Sequence, residues 1–373
     1  MMKLVKNLKK ESIKSLYIHI PFCEHLCDYC DFTKVQYFSL FAEQYINHLK
    51  KEMHSYQINK NLKTIYIGGG TPTALEDELF EQLLLMVEPY IKSVEEYTIE
   101  ANPESLSLHK LQLMKKYGVN RISLGVETTN DEILKAINRH HTFEDVKKAI
   151  STAKEVGFDH LNVDLILGLP GTSLEQIQKD LLNLLTLNVQ HISCYSLTVH
   201  PNTKFFLDGV KEPLDDVNRT YYDLVNQTLE SHGFIHYEVS NWAKPGFESK
   251  HNYTYWRNEQ YYGLGLGASG YIGNQRYTNN RSITSYLKGN YQGDSETLSP
   301  KDEMEYQIML NLRTIEGLNL TDFQQSFGVN LFESKKEEIE RLIKLHLLIL
   351  KDNRLIPTYE GMMVLDQIIL SLI

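Results

Sequence analysis

Short β-branched runs alternate with longer helical patterns over residues 16–197 of this 373-residue chain, and that alternation constrains the fold more than any other feature. Strands are predicted at 16–20, 64–67, 97–101, 121–126, 161–167 and 190–197. Helical periodicity covers 38–56, 75–90, 106–117, 143–156 and 174–187, with capping residues at Thr73 or Asp77, Ser105, Thr142 and Ser173. A strand, a crossover helix and the next parallel strand form a right-handed unit, so six units build a parallel sheet. Six are fewer than the eight that close a barrel. The expected class is therefore α/β, with an open partial (β/α)6 barrel at its core.

In parallel barrels the chemistry sits on loops at the C-terminal ends of the strands. After the first predicted strand come Cys23, Cys27 and Cys30. The second is followed by Gly68-Gly69-Gly70-Thr71-Pro72. Glu100 ends the third, Gly125-Val126-Glu127 ends the fourth, and Asp164 lies in the fifth ahead of Gly168-Leu169-Pro170-Gly171. Every polar or glycine-rich element falls on the same end of the sheet, as an active site requires. Taken singly, the glycines could make a plain tight turn, Glu100 and Asp164 could be caps or ion-pair members, and Arg139 could be a solvated helix-end charge.

Three of the four cysteines stand within eight residues, spaced CxxxCxxC. Three thiolates on one loop can ligate three irons of a cubane cluster and leave the fourth iron open to a substrate. Zinc, with His19 or His25 as fourth ligand, is the other reading of the same spacing. Cys194 is remote and sits in an apolar run, as a buried cysteine does.

The cysteine pattern is not a disulfide framework, so a reducing, cytoplasmic compartment is expected. With 38 basic and 48 acidic residues the chain carries −10, which argues against coating nucleic acid. No apolar run reaches the ~20 residues that span a bilayer. The lysines near the N-terminus precede a stretch too short and polar for a signal h-region, and peripheral membrane contact stays open.

Beyond residue 200 the pattern changes. A long helix is predicted at 215–231 and a strand at 234–240, followed by Lys250-His251-Asn252-Tyr253-Thr254-Tyr255-Trp256. Gly263, Gly265 and Gly267 predict backbone packed close to a flat group or to another strand. His251 is the sharpest residue here. A neutral imidazole is a good haem-iron ligand, and a histidine among aromatic rings is also a common hydrogen-bonded core residue. From residue 300 the chain reads as helices followed by a hairpin around Lys351-Asp352-Asn353, similar to a winged-helix unit. The expected division is 1–235 for the partial barrel and 236–373 for a smaller α+β domain.

CxxxCxxC followed by GGGTP resembles the radical S-adenosylmethionine superfamily. YIHIPFC, GGGTPT, RISLGVE, NVDLILGLPG and HNYTYW resemble, within it, the family of oxygen-independent coproporphyrinogen III oxidases and their relatives, over most of the chain. The resemblance implies a 4Fe-4S cluster on Cys23, Cys27 and Cys30, with S-adenosylmethionine on the open iron. It implies that Tyr17 and Tyr29 line that site and that Gly69, Gly70 and Thr71 contact the methionine part. Glu100, Glu127, Arg139 and Asp164 would hold the remaining polar groups, and one electron from the reduced cluster would cleave the S–C bond. His251 would be linked to haem.

Two positions depart from the oxidase pattern. Its CxxxCxxCxC run has one more cysteine where this chain has Phe32, which resembles the haem-chaperone branch. Glu127 stands where the pattern has Gln. The implied function is haem binding and delivery to haem-accepting proteins, membrane-bound respiratory ones among them. The alternative is the oxidase activity of porphyrin biosynthesis, oxidative decarboxylation of coproporphyrinogen III. Dimerisation, through the cluster loop or through haem, stays open.

Overall fold

The computed structural model describes residues 13–373, and the lysine-rich stretch 1–12 lies outside them. Six parallel strands form the centre: β1 (Ser15–Ile20), β2 (Thr64–Gly69), β3 (Glu96–Ala101), β4 (Arg121–Glu127), β5 (His160–Leu167) and β6 (His191–Ser196). They lie side by side in chain order, and each is paired parallel with the next. Every strand predicted from the sequence is present, with ends shifted by at most two residues.

The sheet then extends at both ends. Beyond β6 come β7 (Ile235–Glu238) and β8 (Asn241–Ala243), with β8 antiparallel to β6. Beyond β1 come β9 (Tyr261–Leu264), parallel to β1, and then antiparallel β10 (Ser269–Ile272), β11 (Gln275–Asn279) and β12 (Gln292–Thr297). The full order is β12-β11-β10-β9-β1-β2-β3-β4-β5-β6-β8-β7, and β12 and β7 do not pair, so the barrel stays open. Gly263 is where β9 meets β10: a Cβ there would overlap the Ser269 carbonyl oxygen. The close approach to another strand, expected from the glycine run, is therefore present.

Side chains alternate across the central strands. Leu16, Ile18, Ile65, Ile67, Ile99, Leu124, Val163 and Ile192 form one continuous core with residues of the outer helices. Those helices are α1 (Ser39–Tyr56), α2 (Asp77–Val87), α3 (Leu108–Lys116), α5 (Phe143–Val156) and α6 (Leu174–Thr186), whereas α4 (Asp131–Ala136) places Ile133 in a small separate cluster with Ile137, Leu169, Leu197 and Phe205. The opposite face is polar, carrying Ser15, Tyr17, Thr64, Tyr66, Thr98, Glu100, Ser123, Asn162 and Asp164. Polar groups line the concave side, which is what a ligand-holding barrel needs.

Thr142 caps α5 in a capping box with Asp145, and Ser173 caps α6, as expected. The other two caps are corrected. Ser107, not Ser105, caps α3, and the residue ahead of α2, Glu76, makes no side-chain cap bond. Thr73 and Ser105 bond each other instead, at 2.6 Å in the interior. That bond joins the segments following β2 and β3.

The division expected at 235/236 falls at the start of β7, inside the main sheet, whose core includes Trp242, Tyr262 and Tyr286. A second core, built from Ile308, Leu312, Phe323, Ile339, Leu342, Leu355 and Ile368 among others, lies in the C-terminal helices. Its small sheet holds β13 (Leu318–Asn319), β14 (Leu348–Lys351) and β15 (Arg354–Pro357), with β15 between the other two. Asp352 and Asn353, at φ 49° and 58°, make the β14–β15 turn that the sequence predicts. No helix among the described residues is long and apolar enough to cross a membrane.

Candidate cofactor site

The cysteine loop leaves the end of β1 and is closed by a two-residue parallel pair, Phe22–Cys23 with Val35–Gln36. Cys23 is buried, Cys27 and Cys30 are half-buried, and none is in a disulfide. The loop is tied down from outside. Asn138 Nδ2 donates to the Leu26 carbonyl at 2.8 Å, and the Phe205 amide donates to the Asp28 carbonyl at 3.0 Å. Burial, and then the two neighbouring thiols, push the Cys23 thiol up to about 12 against an opposing bond from Thr71. A cationic metal centre reverses that cost, because it stabilises thiolates. Three disulfide-free thiols on one tied-down loop are the donor set that an iron–sulfur cluster takes, while among the described residues no three ligating side chains are gathered to hold a single metal ion.

Of the two histidines in the zinc reading, only His19 is engaged at both ring nitrogens. His19 places Nδ1 against the Tyr17 hydroxyl at 2.9 Å and Nε2 against the Thr33 carbonyl at 2.7 Å. His25 stacks on His140, with ring centroids 3.6 Å apart.

The glycine loop is locked onto the cysteine loop. The Gly70 amide donates to the Ile20 carbonyl and the Thr71 amide to the Phe22 carbonyl, both at 2.8 Å. A Cβ on Gly70 would stand 2.7 Å from the Pro21 carbonyl carbon, and one on Gly68 would stand 2.5 Å from the Glu100 carboxyl carbon. Gly69 has φ +113°, and a Cβ there would overlap the His19 ring. The run is thus a close-packed junction rather than an open turn. The Gly69 amide also is engaged, donating to Glu100 Oε2 at 2.8 Å.

A bonded chain joins these elements to Arg139. Its Nη1 lies 3.1 Å from Asn102 Oδ1 and 3.7 Å from Cys27 Sγ. Asn102 Nδ2 donates to Thr71 Oγ1 at 3.2 Å, and Thr71 Oγ1 lies 3.7 Å from Cys23 Sγ. Arg139 Nη2 bonds the Gly125 carbonyl and stands 3.6 Å from Glu127 Oε1. Arg139 Nε is buried without a partner among the described residues. An orphaned guanidinium nitrogen suits a carboxylate-bearing ligand.

Three carboxyls face the same concave space, and burial raises the pKa of each. Glu100 accepts from the Tyr66 hydroxyl at 2.7 Å, and Asp164 accepts from Asn162 Nδ2 at 2.7 Å. Glu127 sits at φ 65° on a bulge of β4, and its carboxyl is pushed up to about 7 by burial against the opposing charge of Arg139. A protonated carboxyl donates as the amide of Gln does. Tyr29 lies close enough to Glu127 to oppose that rise, while Tyr17 lies against Tyr66 with centroids 6.1 Å apart. Cys23, Cys27, Cys30, Gly69, Gly70, Thr71, Glu100 and Glu127 therefore lie at or just beyond the C-terminal ends of β1–β4, with Arg139 reaching in from the segment after α4, whereas Tyr17 stands in the middle of β1 and Asp164 within β5. The sequence reading missed Tyr66 and Asn102. Asn102 lies within the conspicuous run Glu100-Ala101-Asn102-Pro103-Glu104, which was the available signal.

His251 is elsewhere. It lies on α7 (Lys250–Trp256), whose first amides are capped by Glu96: the Lys250 and His251 amides both donate to its carboxylate at 2.9 Å. Glu96 and Thr64 are the first residues of β3 and β2, so α7 closes the N-terminal end of the concave face. Thr64 and Gly69 stand at opposite ends of the six-residue β2, roughly 16 Å apart along the strand. His251 is fully buried, with Nδ1 2.8 Å from Thr64 Oγ1 and Nε2 2.8 Å from the Tyr255 hydroxyl. Burial pushes its pKa down to about 3, so the ring is neutral. In this arrangement it offers no free nitrogen to a haem iron, and the core-residue reading describes its contacts.

Two family descriptions match parts of this chain. The Radical SAM superfamily description matches residues 17–184, and the HemN C-terminal domain matches residues 298–364. Heme chaperone HemW of Bacillus subtilis is 40% identical over 335 residues, covering 86% of this chain and 88% of that protein. Heme chaperone HemW of Lactococcus lactis is 40% identical over 356 residues, covering 93% and 94%. Among solved structures, coproporphyrinogen III oxidase (HemN) from Escherichia coli superposes with a TM-score of 0.85 at 22% identity, over 100% of this chain and 92% of that one, and shares the fold. Two long relatives at such identity are decisive: the chain belongs to the heme chaperone HemW family of radical SAM proteins.

Proposed function

We propose that this chain is a haem chaperone: it holds a 4Fe-4S cluster and S-adenosylmethionine at the open end of its partial barrel, binds haem, and passes it to acceptor proteins, respiratory membrane proteins among them. The observation that carries this reading is the cysteine loop. Three disulfide-free thiols share this loop, Cys23 and Cys27 lie 3.7 Å from the Thr71 and Arg139 ends of the Arg139–Asn102–Thr71 chain, and the position of the oxidase's extra cysteine is Phe32, 63% exposed.

Cys23, Cys27 and Cys30 would ligate the cluster, which when reduced supplies one electron for cleaving the S–C bond of S-adenosylmethionine. Arg139 would take the cofactor carboxylate. The Gly69 and Gly70 carbonyls and Thr71 would hold the methionine end, and Glu100 and Asp164 would face the ribose and the sulfonium charge. Tyr17 and Tyr29 would flank this space and keep water out. Glu127 would hold a proton toward the cofactor. The free thiols fit a reducing, cytoplasmic setting. Haem ligation by His251 would require Tyr255 to release Nε2.

The test is haem titration of anaerobically reconstituted protein, followed by mixing with an apo b-type cytochrome and watching the Soret band. Binding of one haem per chain and its transfer to the cytochrome are expected. Absence of binding, or haem held without transfer, would overturn the reading.

A further inference from the structure

A cleft beside the cofactor space shares Tyr17 with it and is otherwise lined by residues that the cofactor reading does not use. It has a volume of about 330 Å³ and opens between the end of the cysteine loop and the β9–β10 hairpin. Phe32 and Thr33 form one wall, and Tyr255 and Tyr261 the other, with Arg281 and Ser269 also on the lining. Tyr17 and His19 are on its lining, so it adjoins the cofactor space.

The walls are fixed. A Cβ on Gly267 would overlap the Thr33 side chain, so loop and hairpin are in contact, and the Thr33 carbonyl is held by His19. Tyr255 and Tyr261 pack edge to face at 4.7 Å. The exposed Phe32 ring is an apolar face without cover. Arg281 has no hydrogen bond or ion pair among the described residues. The one acid on the lining, Asp31, is turned to His200 at 3.4 Å.

A flat aromatic ligand with a peripheral carboxylate fits this combination: rings to flank its faces and one unpaired guanidinium at the edge. The volume is at the low end for a drug-sized ligand, so the cleft takes one edge of a porphyrin rather than the whole. We propose that this cleft seats one edge of the haem, with Arg281 bonding a propionate and Phe32, Tyr255 and Tyr261 flanking the macrocycle. This rests on the haem-chaperone reading and names where the haem sits. It also explains Phe32, because the residue that replaces the extra cysteine then supplies an apolar wall for the porphyrin.

The experiment compares haem and haem dimethyl ester, whose propionates are uncharged. Each is titrated into the anaerobically reconstituted wild type, Arg281→Gln and Phe32→Ala, with iron content and circular dichroism verifying that the variants are intact. Arg281→Gln is expected to weaken haem about 10-fold, the size of a lost charged hydrogen bond, and to leave ester affinity at the wild-type value. Phe32→Ala is expected to weaken both ligands. Equal haem affinity in Arg281→Gln and wild type, or an equal loss with the ester, overturns the seat while the chaperone reading stands. A wild type that binds no haem overturns both.

Discussion

Arg139 Nη1 stands 3.7 Å from Cys27 Sγ, and the same nitrogen holds Asn102 at 3.1 Å. One side chain thus touches the cysteine loop and anchors the chain that runs through Asn102 to Thr71. Its Nε is left unbonded in the interior. Arg139→Gln should lower S-adenosylmethionine affinity by about 10- to 100-fold, the range for one lost charged hydrogen bond. Isothermal titration of anaerobically reconstituted protein reads this directly, with iron content as the control. An unchanged affinity would confine Arg139 to bracing Asn102 and Gly125.

Gly69 is held at φ +113° against the His19 ring. Gly69→Ala combines backbone strain with overpacking, and about 3 kcal/mol of stability should be lost. Urea unfolding measures it. A loss below about 0.5 kcal/mol would mean that the loop relaxes freely, contrary to its bonds with Ile20 and Phe22.

His251 should behave as a core residue in the haem-free protein. His251→Ala removes two hydrogen bonds and leaves a cavity, costing about 3 kcal/mol, whereas Tyr255→Phe removes one bond and should cost about 1 kcal/mol. Equal stability of His251→Ala and wild type in urea would show that α7 does not need the ring.

Glu52 gives a pH signature remote from the cofactor. Fully buried on α1, it accepts from the Gly265 amide at 2.9 Å and from Asn279 Nδ2 at 2.7 Å, and also from the Tyr286 hydroxyl. Burial outweighs these donors and pushes its carboxyl up from 4.5 to about 7. Between those values the folded state binds more protons than the unfolded one, so this group's contribution is complete below pH 4.5 and is lost as pH rises to about 7. Glu52→Gln should flatten that part of the stability profile, measured by urea unfolding at pH steps from 5 to 8. A wild-type profile and a Glu52→Gln profile of equal slope would contradict it.

The six strands were legible because each is a short β-branched run bounded by turn residues, and a parallel sheet follows from their alternation with helices. The cofactor end was legible for the same reason: in a parallel sheet every strand delivers its last residues to one side. The sheet extensions were hidden. β10, β11 and β12 carry polar residues on an outlying edge, so no periodic apolar signal announces them. The placement of His251 was hidden too. Its motif is local, whereas its surroundings come from Thr64 and Glu96, more than a hundred residues away in sequence. Thr73 and Ser105 misled because a hydroxyl near a helix start reads as a cap whether it bonds that helix or another segment.

Chaperone and oxidase are separated most directly by supplying anaerobically reconstituted protein with S-adenosylmethionine, a strong reductant and coproporphyrinogen III, and quantifying protoporphyrinogen IX. A haem chaperone gives no porphyrin product while its 4Fe-4S cluster is intact, and that is the expected result. Stoichiometric conversion of the porphyrin would contradict it and make Phe32 a neutral replacement in an oxidase.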